Sequence, residues 1–367
     1  MKAITSTGLR SATAGVAVSM ALVTAGCGGG STQAAGGETC DGKTVTVGIT
    51  KSASDAPFYV AQDKGYFKKQ GLTVQFVPFD SAAKMIPPLG AGQLDVGAGA
   101  PSAGFYNAVA RGVELRIVAD KGSMPKGYGY MPLMVRKDLH DGGKVKTIAD
   151  LKGLKVAEPA QATATSSTAS ALLESGGLGY GDVKHEYIGF AEQVTAFGNG
   201  AIDAAMITEP SATVAEQRGV AVRLASPPDV YDNQQLAVVL YGGKFAGEKS
   251  RLGTCFMTAY LQGARDYVSA LADGKVTGKG ADEIVKIVTT ATGLKPELYR
   301  AIVANYVNPD GVVNAESLRR DYDFFDKQGW LEGKKVSVDT LVDPSFAKAA
   351  VAKLGAFDKA GAAKAAG

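Results

Sequence analysis

Histidine, tryptophan and cysteine are scarce in this chain: two, one and three residues among 367. His140 and His185 both sit in polar surroundings and offer little material for an imidazole-based triad. The three cysteines and two histidines lack the spacing of a metal site. No Gly-x-Ser-x-Gly elbow, phosphate-binding glycine loop or His-Glu-x-x-His run occurs. The formal charge is only +3 and is spread along the chain. No arginine-rich run or aromatic-spaced basic patch argues for nucleic acid. The apolar run at 12–23 is too short to span a bilayer as a stable helix. These absences predict a chain with no catalytic residues, no metal and no cofactor, which is not an enzyme and does not bind nucleic acid.

What is present is ordinary apolar content, abundant glycine (47 residues) and enough length for two domains. The pattern predicts strands at 44–49, 72–78, within 92–102 and at 115–119, separated by helices at 58–71, 81–91 and 103–112. Such alternation means a mostly parallel sheet covered by helices: an α/β architecture. Residues 127–136 read as a strand crossing into a second lobe. There, strands at 155–158, 185–188 and 204–207 alternate with a helix opening at 160–168. Residues 236–241 read as crossing back. Beyond Gly247 the character turns helical, at 251–272, 281–292, 296–303 and 315–327. The Ala/Lys-rich end after Ser345 reads as a loosely packed helix followed by disorder.

One unit occurs twice. Residues 92–112 and 200–219 each carry Gly-x-x-Asp (Gly92 to Asp95, Gly200 to Asp203), a small apolar strand and a Pro-Ser pair (Pro101-Ser102, Pro210-Ser211). Each then has a helix closing on Arg-Gly. The two copies predict two lobes, each presenting a helix start to a ligand between them, where free N–H groups suit an anion. Asp95 and Asp203 are better read as structural caps than as paired catalytic carboxylates.

The N-terminus is basic through Arg10, then modestly apolar, and reaches Thr24-Ala25-Gly26-Cys27. It resembles the lipobox of bacterial lipoproteins, with Thr24 where leucine is usual. That implies a signal peptide at 1–26 and a lipid on Cys27; an ordinary secretory signal with a chance cysteine is the alternative. The Gly/Ser-rich residues that follow form a flexible tether, 27–42. Cys40 and Cys255 are then either a disulfide, which exported surroundings permit, or two buried thiols.

The first lobe carries a family resemblance. Pro57-Phe58-Tyr59-Val60-Ala61, Lys64-Gly65-Tyr66-Phe67, Gly71-Leu72-Thr73-Val74 and Gly92-Gln93-Leu94-Asp95 occur in that order. They are similar to the solute-binding proteins of ABC importers, specifically the nitrate/sulfonate/taurine group that also includes thiamine-precursor binders. Ile148 to Ala157 and Gly200 to Pro210 are similar to later segments of that family. The resemblance implies a two-lobe, type II periplasmic-binding-protein fold with a hinge of two crossing strands. It divides the chain into lobe 1 at 43–128 and 239–342, lobe 2 at 129–238, and a tail at 343–367. It also implies a monomeric, membrane-anchored, extracytoplasmic bacterial lipoprotein that delivers a small anion (sulfonate, nitrate or taurine-like) to a permease with a separate ATPase. The alternatives are a thiamine-pyrimidine-precursor binder or related synthase on the same fold, and an extracellular sensory module.

In two-lobe α/β proteins a ligand lies beyond the carboxyl ends of the strands, between the lobes. That selects Ser52, Ser54, Asp55, Tyr59, Gly99, Ala100, Pro101 and Ser102 from the first lobe. From the second it selects Gln161, Thr163, Thr165, Ser166, Thr208, Glu209 and Pro210. Tyr128 and Tyr130 lie near the hinge, either to stack on a planar ligand or as hinge packing. Thr165 and Ser166 suit helix capping and ligand donation equally. Lys51, Lys121 and Lys126 are the candidate cations. Glu209 either receives an amino group, favouring a taurine-like zwitterion, or caps its own helix.

Overall fold

In the computed structural model the described residues are 40, 42–247 and 250–358. The expected signal segment, Cys27, most of the tether and residues 359–367 of the tail lie outside them. Ten strands among the described residues form two five-stranded sheets. The first contains β1 (Lys43–Ile49), β2 (Leu72–Pro78), β3 (Val96–Gly99) and β4 (Leu115–Met124). The second contains β5 (Leu133–Arg136), β6 (Lys155–Glu158), β7 (Lys184–Tyr187), β8 (Ala204–Met206) and β9 (Ala221–Ala225). A last strand, β10 (Gln234–Gly242), returns to the first sheet.

The strand orders are β2-β1-β3-β10-β4 and β7-β6-β8-β5-β9. In each sheet β1 or β6 pairs in parallel with its neighbours, and one strand, β10 or β5, runs antiparallel to both of its own. Four strands therefore point one way in each sheet. The opposed strand is the one arriving from the other lobe. The result is the two-lobe α/β type II arrangement. All nine residues of β10 are buried, which is why its sequence reads as a continuous apolar run without alternation.

The element boundaries differ from the sequence pattern for local reasons. The expected helix at 58–71 is two helices, Ala56–Asp63 and Tyr66–Lys69, because Gly65 turns the backbone to φ +70° between them. The crossing at 127–136 becomes sheet only from Leu133. The strand expected to cross back lies wholly in the first sheet, and residues 226–233 make the return. The helix Phe190–Gly198 and strand β9 had no separate sequence signal.

The C-terminal helices wrap the first lobe. Helix Ser250–Ser269 packs on Ala56–Asp63, with the Phe58 and Tyr260 ring centroids 4.7 Å apart. Cys40 and Cys255 are joined in a disulfide, with Cα atoms 6.4 Å apart. It ties the start of β1 to this helix. The tail corrects the expectation of loose packing. Its helix Ser345–Leu354 buries Phe346, Ala347 and Ala350, and Phe346 meets Tyr241 edge-on at 5.0 Å.

Candidate binding cleft

The repeated Gly-x-x-Asp unit performs the same task in both lobes. Asp95 Oδ2 accepts hydrogen bonds from the Thr46 amide (3.0 Å) and hydroxyl (3.1 Å), and the Asp95 amide donates to the Thr46 carbonyl. Asp203 Oδ2 accepts from the Lys155 amide at 3.0 Å, and the Asp203 amide donates to the Lys155 carbonyl. Thr46 lies on β1 and Lys155 on β6, the equivalent strands. Each aspartate thus pins its lobe's inner strand one residue before pairing begins (Val47 with Val96, Val156 with Ala204). Neither faces the cleft.

Beyond that point the two copies diverge. The helix Ala103–Ala110 is capped by Ser102, whose Oγ accepts from the Phe105 amide at 3.1 Å. Its first N–H, on Ala103, donates to the Ala162 carbonyl of the second lobe at 2.8 Å, and the Ala164 amide donates back to Pro101 at 3.0 Å. Ser102 and Thr163 form a two-residue antiparallel bridge across the cleft. The second copy meets the first lobe instead through the Glu209 carbonyl, which accepts from the Ala53 amide at 2.8 Å. Each copy therefore faces the first βα turn of the other lobe, not the other copy. Ala162 holds a left-handed backbone, φ +59°, at this contact.

This pairing revises the anion-trap reading. The Ala103 and Ala164 N–H groups are occupied by carbonyls of the opposite lobe. The small residue Gly99 serves packing: a Cβ there would lie 2.6 Å from the Ala82 Cβ. Pro101 contributes a carbonyl to the bridge and Ser102 is a cap, so neither lines the cavity.

The cavity between the lobes measures about 40 Å³. Of the residues selected from sequence, Ser52, Ser54, Gly99, Ala100, Thr163, Thr165 and Thr208 line it, together with Tyr130 and Lys121. Thr50, Ser81, Ala82, Met131, Pro159, Phe190, Leu236 and Ala237 also line it and were not selected. Thr50 and Ser81 end or follow strands β1 and β2, so the strand-end rule applied to every strand would have reached them. Met131, Phe190, Leu236 and Ala237 gave no signal, because an apolar wall residue reads like any core residue. The Ser81 hydroxyl is buried and has no hydrogen-bond partner. Ser52 Oγ lies 2.9 Å from Ser54 Oγ and accepts from Thr50 at 3.1 Å.

Several expected contacts are corrected by their actual partners. Asp55 is fully buried in an ion pair with Lys121, Oδ1 to Nζ 2.7 Å, and its Oδ2 accepts from the Ser52 amide. Lys121 Nζ also donates to Ser54 Oγ at 2.8 Å. Glu209 caps and pins its own helix. Oε2 accepts from the Thr213 amide at 3.0 Å, while Oε1 accepts from Arg223 at 2.6 Å and the Val303 amide at 3.1 Å. The two carboxylates that the Arg223 guanidinium meets, Glu209 and Glu216, outweigh its burial and push its pKa up. With Asp55 and Glu209 both committed, no carboxylate among the described residues lines the cavity. Tyr59 packs edge-on to Phe76, Tyr128 packs against Tyr306, and Gln161 is exposed. Ser166 accepts from the Thr163 amide at 3.4 Å as the far half of a capping box. Pro210 and Tyr59 line a different, outer chamber. Of the candidate cations, Lys51 belongs to that chamber and Lys126 lines neither.

The lobes also meet away from the cavity. Asp321, from helix Ala315–Lys327, is fully buried and accepts from Tyr231 at 3.0 Å and Gln234 at 3.3 Å. Burial pushes its pKa up to about 7, against hydrogen bonds from Ser167, Tyr231 and Gln234. Tyr180 of the second lobe packs edge-on against Phe324 and Trp330.

Among the described residues no helix is long and apolar enough to cross a membrane, and no cluster of His, Cys, Asp and Glu is placed to hold a metal. No curated relative matches the sequence. Solved structures share the fold at low identity. The alkanesulfonate-binding protein SsuA from Xanthomonas axonopodis pv. citri, bound to MOPS, is 19% identical with TM-score 0.66, covering 83% of this chain and 99% of that one. The periplasmic nitrate-binding protein NrtA from Synechocystis PCC 6803 is 14% identical with TM-score 0.70, covering 85% and 89%. The desulfurization enzyme DSZB, 15% identical with TM-score 0.58, covers 85% and 99%, so the fold also houses an enzyme. The family model described as NMT1/THI5 like matches residues 52–270, a span that runs from the β1 turn through both sheets and the return strand. The chain belongs to the NMT1/THI5-like family.

Proposed function

We propose that this protein is the solute-capturing component of an ABC importer, holding a small oxyanion between its lobes. The observation that carries the reading is the lining of the cavity between the lobes. Both lobes wall it, hydroxyls from Thr50, Ser52, Ser54, Ser81, Thr163, Thr165 and Thr208 surround it, and one buried lysine reaches it. An ammonium has three N–H groups, and two of those on Lys121 go to Asp55 and Ser54. One remains for a ligand oxygen, alongside the Ser81 hydroxyl. Hydroxyl and ammonium donors without an acid favour an anion such as nitrate or a short sulfonate over a zwitterion, whose amino group would find no acceptor carboxylate. Glu209 was the residue that would have supported a taurine-like solute, and its oxygens are taken.

Lys121 and Ser54 do not make a nucleophile–base pair here. In its ion pair with Asp55 the ammonium has no lone pair to accept the serine proton, so binding is the better reading. In this proposal the two crossing segments, 125–132 and 226–233, act as the hinge. Solute tips the open–closed balance through the bridges Ser102–Thr163 and Ala53–Glu209. The closed form then docks on a permease served by a separate ATPase. A lipid on Cys27 and a monomeric state outside the cytoplasm complete the reading.

The test is calorimetric titration with nitrate, methanesulfonate and taurine, with product analysis on any hit. A simple anion is expected to bind, taurine at least tenfold more weakly, and nothing to turn over. Lys121→Met together with Ser81→Ala should abolish the heat. Absence of binding by every small anion, or conversion of one, defeats the proposal.

A further inference from the structure

A chamber of about 410 Å³ lies beside the central cavity, again between the lobes. Ser52 belongs to both. The partition follows the chain: Thr208 and Phe190 face the inner cavity, while Pro210 and Ala191 face the outer chamber. Between them stands the Ala53–Glu209 hydrogen bond that joins the lobes. The chamber is thus a separate compartment that exists only while the lobes are together.

Its walls have a definite chemistry. Tyr59, Tyr299 and Leu294 supply apolar surface from the first lobe, and Val214 from the second. Lys51 lines the chamber from the first lobe and Arg218 from the second; both are exposed, and neither has an ion-pair partner among the described residues. Among the described residues, no Asp or Glu lines the chamber. Lys51 is held with φ +55°, a backbone strained for a residue with a side chain. Tyr299, 2% exposed, carries a hydroxyl with no hydrogen-bond partner. An aromatic-sided void with a cation from each lobe and no acid matches one ligand class: an organic anion with a flat apolar body.

We propose that this outer chamber is a second binding site, for an aryl carboxylate or sulfonate, and that its occupant bridges Lys51 and Arg218 and holds the lobes closed. It does not depend on the inner cavity's being a solute site. A hydrophobic body also explains why this void is not filled by side chains: Ala191, Ala291 and Pro210 leave room where larger residues would close it.

The experiment is titration of the full chain with naphthalene-2-sulfonate, 2-naphthoate and the neutral 2-naphthalenemethanol. Both anions are expected to bind one-to-one and the alcohol at least tenfold more weakly. Arg218→Ala or Lys51→Ala should each weaken the anions about fivefold at low salt and leave the alcohol unchanged. Val214→Trp should fill the chamber and abolish binding; Ala291→Phe repeats the test should the first variant not fold. Ser81→Ala, which removes an unpartnered hydroxyl from the inner cavity and touches neither cross-lobe bridge, should leave naphthalene-2-sulfonate affinity within twofold. Equal binding of alcohol and anions, no effect of either cation variant, or loss of binding in Ser81→Ala overturns the proposal. Because nitrate binding is scored separately, the two compartments can fail independently.

Discussion

The two copies of the Gly-x-x-Asp unit are the same at one end and different at the other. At the strand edge Asp95 and Asp203 hold equivalent backbone amides, on β1 and β6. At the helix start Ser102 caps with a hydroxyl, whereas Glu209 caps with a carboxylate that also binds Arg223 and reaches the Val303 amide of the first lobe. The strand edge answers to the sheet, which is alike in both lobes. The helix start answers to whatever stands opposite, which is not. A repeated motif therefore identifies equivalent positions in the fold without making them equivalent in the cleft.

The comparison can be broken most directly at Glu209. Glu209→Ala leaves Arg223 and two backbone amides without their acceptor in a buried place, and should cost about 3 kcal/mol in urea unfolding. A loss no larger than that of a simple cap would mean that its cross-lobe bonds carry nothing. Next come the aspartates. Asp95→Ala and Asp203→Ala should each cost about 1–2 kcal/mol and agree within about 0.5 kcal/mol, since each removes an acceptor for a strand amide. A marked inequality would show that the lobes do not use the motif alike.

The third prediction concerns pH. The folded pKa of Asp321 is raised to about 7 from 3.8. The native state therefore holds a proton that the unfolded chain has released, and stability is lost as pH rises from about 4 through 7. His185 acts in the same direction above its unfolded value. Burial opposes its charge, but the hydrogen bond and charge of Glu158 raise its pKa, and that stabilisation fades as pH climbs through the folded value. Thermal unfolding should show a fall on the order of 1 kcal/mol between pH 6 and 8, and Asp321→Asn should flatten most of it. An unchanged slope in that variant would assign the effect elsewhere. The smallest effect belongs to Ser102→Ala, about 1 kcal/mol or less, the loss of one ordinary cap.

Much of the fold was legible because its signals are local. Alternating strand and helix patterns, Pro-Ser before a helix and glycine after it gave nearly every element of the first lobe. The helices at 281–292 and 315–327 match their observed bounds. The Asp95 and Asp203 caps were readable because an aspartate just before a strand has few other tasks. Less of the cleft was legible. Seven of its lining residues follow from the rule that ligands sit beyond strand ends, but Asp55, Ser102 and Glu209 obey the same rule and point elsewhere. Spacing does not reveal that Lys121, the seventh residue of β4 and two beyond the expected strand end, arrives 2.7 Å from Asp55.

Sequence by itself determined the lobes, the repeated unit and the poverty of catalytic groups. These are properties of periodicity and composition, which short-range sterics and burial enforce. It left open whether Cys40 and Cys255 meet, which acids are free and which turn faces which. Tertiary structure alone decided those, because each depends on partners far away in the chain: 215 residues for the disulfide, 94 for Glu209 and Val303. A buried charge takes its role from the nearest opposite charge or donor, and only the packed lobes say which one that is.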